Sequence, residues 1–444
     1  MKKIISFICL ITVFLLTSKT IAITDSSYID LDFWQKFNDE ILLENISQTY
    51  SNNHDLKSAA FKVEQAQRIV KMSFADELPH LGFQGYAGQI FNSSDELFGD
   101  VKIPDYTESH FLLPLTMNYE IDIWGKNYLK TKSKKMQYEM IKQDERSAYI
   151  YVISALACDY YNLVRADKLI EYQKHLINLQ KEIISSYQKR YDFGLATLSE
   201  IENAQKNLTF LEEDLSKMLE KQDILKNQIS VILSDRSFDE VKRIDFDNLK
   251  VSLKTPDSID FNVLDKRPDK IKSELNLEKA GIDIKIARRD MLPKFIITGN
   301  IGFNMYNLHS THKFLADLGV VPAWDLFLGG KKIQMLKLKK NSYNIAIENY
   351  EKTILKAIQE TQDALYCLKT ANNINQNVIE RLNSDNKELN YTIARIDAGT
   401  KDKIDLLIQE EKVISSKKQL VTSEINKIIS SINLYQALGG VDFN

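Results

Sequence analysis

Apolar and polar residues alternate without interruption between Leu115 and Ile123. Strict alternation with a period of two predicts a β-strand with one apolar and one polar face. The same pattern predicts four strands, at about residues 80–92, 109–124, 294–306 and 313–325. The polar residues of the last three strands include Thr116, Asn118, Glu120, Asp122, Thr298, Asn300, Asn304, Asp317 and Asp325.

Two long segments of the chain contain neither glycine nor proline. They span residues 126–193 and 331–398, 68 residues each, and Gly194 and Gly399 follow them. Beyond Gly194, apolar residues recur at intervals of three and four, which is typical of a coiled-coil helix. We therefore predict long helices over 126–193, 195–233, 331–398 and 400–438, with turns at the two glycines.

The chain also repeats itself. Lys126, Gly194 and Leu233 recur 205 residues later as Lys331, Gly399 and Leu438, and an offset of 214 relates the segments upstream of the strands. Self-similarity at a fixed spacing indicates repeated structural units. We predict a first repeat over 23–233, a linker or belt over 234–266 and a second repeat over 267–444, each repeat with two strands and long helices.

The N-terminus has the features of a secretory signal. Residues 1–22 have two lysines directly after Met1, then an apolar run and small residues at the expected cleavage site. No later stretch approaches the ~18 consecutive apolar residues of a membrane helix. An exported chain of this kind can enter a membrane only through its strands. The net charge of -3 gives no reason to expect nucleic acid as a partner.

The strands suit a membrane better than water, although a soluble sheet with one wet face has the same alternation. Each strand is long enough for the about ten residues that a tilted membrane strand needs, and aromatic residues lie toward the strand ends. The polar residues named above then face a watery lumen and the apolar ones face membrane lipid. Four strands cannot close a barrel, so two or three chains must share one.

The sequence lacks the signature of an enzyme. The six histidines are scattered, and the Gly329–Lys332 segment lacks the spacing of a phosphate-binding loop. We therefore expect no catalytic residues, no cofactor and no metal site. A secreted coiled-coil scaffold or adaptor is an alternative, but it would not require four alternating strands placed symmetrically in two halves.

Several motifs together identify a family resemblance. They are WQKFND (34–39), NHDLKSA (53–59), YEIDIWGK (119–126), RPD (267–269), WDLFLGGK (324–331) and NLYQALGG (433–440). In this order and in both halves, they resemble the TolC-like outer-membrane efflux channels, in particular those of resistance-nodulation-division pumps. Such channels often carry a lipid on an N-terminal cysteine, and this sequence departs from them because it has no cysteine at its predicted mature start.

The resemblance implies a mainly α-helical protein with a membrane β-barrel. A homotrimer would form one twelve-strand barrel, continuous with a tunnel of twelve helices that crosses the periplasm. It would bind a periplasmic adaptor and an inner-membrane pump and pass small molecules, such as drugs, outward. Protein export with an ABC-type pump is an alternative client for the same channel.

The resemblance also implies a periplasmic gate where the long helices turn. The family pattern of Gly-Thr, a base and then an acid falls on Gly399, Thr400, Lys401 and Asp405. Three copies of Asp405 around a narrow axis would favour cations. A second acid of the family falls at Ile408, so the gate departs from the pattern there, and Asp402 is a candidate substitute.

In the first half, the acid that partners the gate base corresponds to Glu200. The tyrosine of the same closure network corresponds to Ile396, which is a further departure. Pairing of Lys401 with Glu200 across the tip is the hypothesis that follows.

Overall fold

The structure is a computed structural model that describes residues 28, 30–92, 106–236, 241–251, 253–306 and 312–443. The predicted signal segment 1–22 lies outside these ranges. Residues 93–105 and 307–311, which join the predicted strands of each half, also lie outside them.

The described part of the chain is dominated by helices. In chain order they are α1 (Leu31–Gln35), α2 (Glu40–Asn52), α3 (His54–Ala75), α4 (Lys126–Asp192), α5 (Leu198–Leu233), α6 (Pro268–Arg289), α7 (Lys331–Asp397) and α8 (Lys403–Ala437). Helices α4 and α7 have 67 residues each, so each extends for about 100 Å. None of the helices in the described ranges is both long and apolar enough to cross a membrane.

One antiparallel sheet joins the two halves of the chain. Its strands are β1 (His80–Phe83), β2 (Tyr86–Asn92), β3 (Tyr106–Ile121), β4 (Lys294–Tyr306) and β5 (His312–Ala323). β1 and β2 both pair with the same side of β3, and β4 and β5 follow on its other side.

The sheet differs from the prediction in its first strand. Residues 80–92 form two strands, with a break at Gln84 and Gly85, where the sequence predicted one. Glycine weakens a strand because it has no side chain to pack. The Gln84 amide still donates to the Pro114 carbonyl at 3.4 Å, so β1 and β2 extend along one edge of β3.

The main hydrophobic core lies far from the sheet, where α1, α2, α4, α5, α8 and the segment 241–251 meet. The Phe33 ring stacks on the Tyr435 ring, with centroids 4.2 Å apart, so the first helix packs on the last.

A series of buried hydrogen bonds attaches the segment 241–251 to this core. The Tyr160 hydroxyl donates to Asp39 at 2.9 Å and accepts from the Ile244 amide at 3.0 Å. Residues 241–251 therefore pack against the long helices, and this part of the structure, with the core described above, is called the belt.

Arg267 connects three helices at this belt. Its side chain is 7% exposed, pairs with Asp269 at 2.7 Å and Glu360 at 2.6 Å, and donates to the Ala437 carbonyl. Burial alone would raise the pKa of Asp269, but the hydrogen bond and charge of Arg267 outweigh it and hold that pKa below its ordinary value. The RPD motif thus ties α6 to α7 and α8.

Replacing Arg267 with alanine should destabilise the protein by about 2 kcal/mol, because it removes the buried guanidinium that donates to two half-buried carboxylates and a carbonyl. Thermal unfolding in detergent, followed by circular dichroism, measures the loss. Arg68→Ala is the control, since Arg68 is exposed and, among the residues that the structure describes, pairs only with Glu64 on its own helix.

The sign of the pH dependence follows from Asp269. The folded-state pKa of Asp269 is lowered. The stability that its ionised carboxylate contributes is therefore complete at neutral pH and is lost as the pH falls through that folded-state pKa. The difference between wild type and Arg267→Ala should therefore shrink in acid. Equal melting temperatures for wild type and Arg267→Ala at neutral pH would contradict this account of the belt.

Candidate functional site

The sheet has one polar face. Residues paired directly in an antiparallel sheet lie on the same face. Thr116 pairs with Asn300, which pairs with Asp317, and Asn118 pairs with Thr298. The Asn300 amide donates to the Asp317 carboxylate at 3.0 Å, so this row is connected by side chains as well as backbone.

The other face of the sheet is apolar and bare. Its cross-strand rows are Leu115, Ile301 and Ala316; Met117, Gly299 and Leu318; and Tyr119, Ile297 and Val320. Leu318 is 75% exposed and Phe314 is 64% exposed. An apolar surface that continues across several strands is unusual on a soluble monomer, so this face requires lipid or another apolar partner.

Glu120 and Asp122 lie where the sheet meets α4. Glu120 lies on the polar face, and its carboxylate pairs with Lys126 at 3.4 Å. Asp122 lies beyond the end of β3, and its carboxylate accepts from the Tyr128 amide at 2.9 Å. An acid that binds the free amides of a helix start stabilises that start. Asp122 is therefore positioned by the helix rather than by the strand.

The two remaining predicted lumen residues lie in the second half. Asn304 belongs to β4, where it pairs with Leu112. Asp325 lies beyond β5 and pairs with Lys332 at 3.0 Å. The hydrogen bond from Lys332 lowers the pKa of Asp325. Both strand-to-helix junctions thus contain an acid–lysine pair.

The helix tips have the same backbone geometry in both halves. Gly194 and Gly399 each have φ +71°. A side chain at either glycine would meet nothing within 4 Å, so the backbone conformation is what favours glycine there. The amides of Leu195 and Thr400 donate back to the carbonyls of Arg190 and Arg395 at 2.7 and 2.9 Å, which closes each helix end.

The helices that follow the tips begin with matching caps. Thr197 and Glu200 form a capping box at the start of α5, and Asp402 and Asp405 form one at the start of α8. Hydrogen bonds from the Thr197 amide and hydroxyl lower the pKa of Glu200. Three of the predicted gate residues, Glu200, Asp402 and Asp405, therefore shape the helix starts.

Ion pairs join the two tips, and they differ from the hypothesised one. Within the described chain, no ion pair joins Lys401 to Glu200. Instead, Arg190 of α4 donates to Asp402 at 2.8 Å, and Lys403 of α8 pairs with Glu182 of α4 at 3.2 Å.

Both cross-tip pairs are roughly half exposed, so each contributes little energy and is free to break. Sequence reasoning missed Arg190 as a partner of the second tip because the two residues are 212 positions apart. Its only signal was the position of Arg190 four residues before the turn glycine.

A small core lies under these pairs. Leu176, Leu179 and Ile183 of α4 pack with Ala204 of α5 and with Leu407 and Ile414 of α8. The Gln180 amide donates to the Ala204 carbonyl at 2.8 Å inside this cluster. The first tip is thus packed against α8, and the exposed ion pairs lie at the end of that contact.

Comparison with known proteins agrees with this architecture. The family model described as outer membrane efflux protein matches residues 45–233 and 262–440. The cation efflux system protein CusC of Escherichia coli K12 is 24% identical over 408 residues, which cover 89% of this chain and 85% of CusC. The toluene efflux pump outer membrane protein TtgC of Pseudomonas putida is 24% identical over 416 residues, with coverage of 91% and 84%.

A solved structure has the same fold. The Campylobacter jejuni CmeC outer membrane channel superposes with a TM-score of 0.82 at 23% identity, covering 95% of this chain and 90% of CmeC. The resemblance to outer-membrane efflux channels is confirmed. The chain belongs to the outer membrane efflux protein family, and it resides in the outer membrane with its helices extending into the periplasm.

Proposed function

We propose that this protein is the exit duct of a tripartite efflux system, through which small molecules pass from an inner-membrane pump to the outside. The observation that carries the proposal is the sheet, which has a polar face on one side and a bare apolar face on the other. A wall between water and lipid needs both faces.

The sheet cannot perform this function as a single copy. Its outer strands, β1 and β2 on one side and β5 on the other, each leave one edge without a strand partner in the described chain. Unpaired backbone groups are costly in lipid, so the edges must join those of other copies. We propose a homotrimer whose sheets close into one barrel and whose long helices form one tunnel.

The relatives support efflux and leave the type of cargo open. CusC is named for cation efflux and TtgC for toluene efflux. For this chain, we propose small molecules as the cargo and a periplasmic adaptor as the partner that links the tunnel to the pump.

The gate of the proposed duct lies at the helix tips. In a trimer, the pairs Arg190–Asp402 and Lys403–Glu182 would occur three times around the tunnel mouth and hold the paired tips together. Asp405, which lies in the first turn of α8, would place three negative charges near the same opening. Because the pairs are exposed, a docked partner or a change in salt is sufficient to release them.

Replacing Arg190 with alanine should favour the open state, because it removes one cross-tip pair and leaves the Asp402 cap intact. An exposed pair contributes at most about 1 kcal/mol, so we expect an increase of up to about 5-fold in the open-to-closed ratio for each tip. Single-channel conductance of the purified protein in planar bilayers measures this open-to-closed ratio.

The chain provides a matched control for this experiment. Arg395 occupies the position equivalent to Arg190 in the second half, and in the described chain its side chain forms no ion pair. Arg395→Ala should leave the conductance as in wild type. If both variants open equally, or neither does, the Arg190–Asp402 pair does not hold the gate.

Asp405→Asn tests the charge at the tunnel mouth. Asparagine still accepts a hydrogen bond from the Asp402 amide, so the helix cap is retained while the charge is removed. The cation-to-anion permeability ratio should fall by about half or more, since carboxylate rings select cations. Asp214→Asn, in the exposed middle of α5, is the control. An unchanged ratio in Asp405→Asn would place the selective constriction elsewhere.

A further inference from the structure

The first ten residues of α4 and of α7 carry a strong positive charge. Residues 126–135 contain five lysines and no acid, and residues 331–340 contain the same. Four lysines occupy equivalent positions 205 residues apart, which are Lys126 and Lys331, Lys132 and Lys337, Lys134 and Lys339, and Lys135 and Lys340. The whole chain has a net charge of -3, so composition does not account for these segments.

Lysine is unfavourable at these positions for the helices themselves. The start of a helix carries the positive end of its dipole, which favours acids and disfavours cations. No acid lies in the first turn of either helix. Acids of the chain itself balance part of this charge, since Lys132 pairs with Glu278 at 3.3 Å and Lys339 with Asp283 at 3.5 Å. The exposed lysines that form no ion pair in the described chain have an anionic partner available only outside the protein.

The lysines lie on two different sides of the helix. Lys126 pairs with Glu120, so its side of α4 continues the polar face of the sheet. Each residue turns a helix by about 100°, which places Tyr128 and Lys135 about 180–200° away from Lys126. They therefore continue the apolar, bare face of the sheet. In α7 the equivalent residues are Ile333 and Lys340, and Lys337 lies beside them.

This outward side adjoins the apolar sheet face closely. Tyr128 is 60% exposed and Ile333 is 56% exposed. The indoles of Trp124 and Trp324 lie at the same junction and donate to the carbonyls of Pro293 and Met291, at 2.7 and 3.0 Å. Tryptophan and tyrosine are typical of membrane–water interfaces. Side chains tilt toward the start of their helix, so the lysines point back toward the sheet.

We propose that Lys135, Lys337 and Lys340 form an outward collar that binds the anionic headgroups of phospholipids in the periplasmic leaflet of the outer membrane. All three are exposed, and within the described chain none of them forms an ion pair. The continuous apolar face beside them, with tryptophans at its border, selects a lipid surface over a soluble anion. The assignment rests on the proposed orientation of the sheet in lipid.

Brominated lipids test the collar through the protein's own tryptophans. The chain has three tryptophans, and the third, Trp34, is completely buried in the belt core. Quenching by bromine acts at short range, so lipid can quench only Trp124 and Trp324. Protein purified from outer membranes is reconstituted in phosphatidylcholine with increasing fractions of brominated phosphatidylglycerol or brominated phosphatidylcholine. The ratio of the two apparent affinities is the measurement.

Each lysine near an anionic surface strengthens lipid binding locally by a factor of about 5. Averaged around the circumference of the protein, we expect the wild-type affinity for phosphatidylglycerol to exceed that for phosphatidylcholine by about 3-fold. The variant K135Q/K337Q/K340Q should have a ratio near one. High salt should reduce the wild-type ratio in the same way. The control K174Q/K221Q/K387Q makes the same charge change at exposed lysines along the helices and should keep the wild-type ratio.

Each contrary result has a distinct meaning. If wild type is quenched equally by both lipids, or if the collar variant keeps its preference, the collar assignment is wrong and the orientation of the sheet stands. If neither lipid quenches wild type, the junction does not lie in a membrane, and the collar fails together with the proposed orientation. The salt dependence of the wild-type affinity ratio tests the collar even if the triple variant does not assemble.

Discussion

The edges of one antiparallel sheet, which have no strand partner in the described part of the chain, determine the rest of the structure. Their backbone amides and carbonyls need partners, and hydrocarbon offers none. Because the same sheet presents a wide apolar face, it cannot remain in water either. Both requirements are met if copies of the sheet pair edge to edge in the membrane. The position of the long helices, which leave the sheet at Lys126 and Lys331, then follows from the sheet.

The long helices are held by buried contacts at the belt and by exposed contacts at their tips. At the belt, Arg267 and the Tyr160–Asp39 pair are buried, and removing either would leave polar groups without partners. At the tips, the ion pairs of Arg190 and Lys403 are exposed and contribute little. The proposed duct, if it opens at its periplasmic end, would use this arrangement, since the belt would hold the helices together while the tips separate.

Much of this architecture could be predicted from the sequence, because the long helices and the strands produce clear periodic patterns. The absence of glycine and proline predicted that the first long helix ends at residue 193, and α4 ends at Asp192. The polar face of the sheet contains Thr116, Asn300 and Asp317, as the alternation predicted. The break between β1 and β2 was not predictable, since alternation continues through Gln84 and Gly85.

Roles that depend on distant residues were harder to predict. Asp122 continues the alternation of its strand, yet its carboxylate binds a helix amide, because a free helix start competes for any nearby acid. The partner of Asp402 proved to be Arg190, from the opposite half of the chain. Asp405 was predicted from the family pattern as a gate acid, and the structure places it in a helix cap. Local patterns contain no information about such contacts.

The most direct test of the account is thiol accessibility along β4 in intact outer membranes. Cysteines replace Ile297, Thr298, Asn300 and Ile301 one at a time, in a protein whose Cys158 and Cys367 have been changed to alanine. A water-soluble maleimide should label positions 298 and 300, which lie on the polar face, while a lipid-soluble reagent should label 297 and 301. Labelling by the water-soluble reagent at all four positions would show that the sheet does not separate lipid from water.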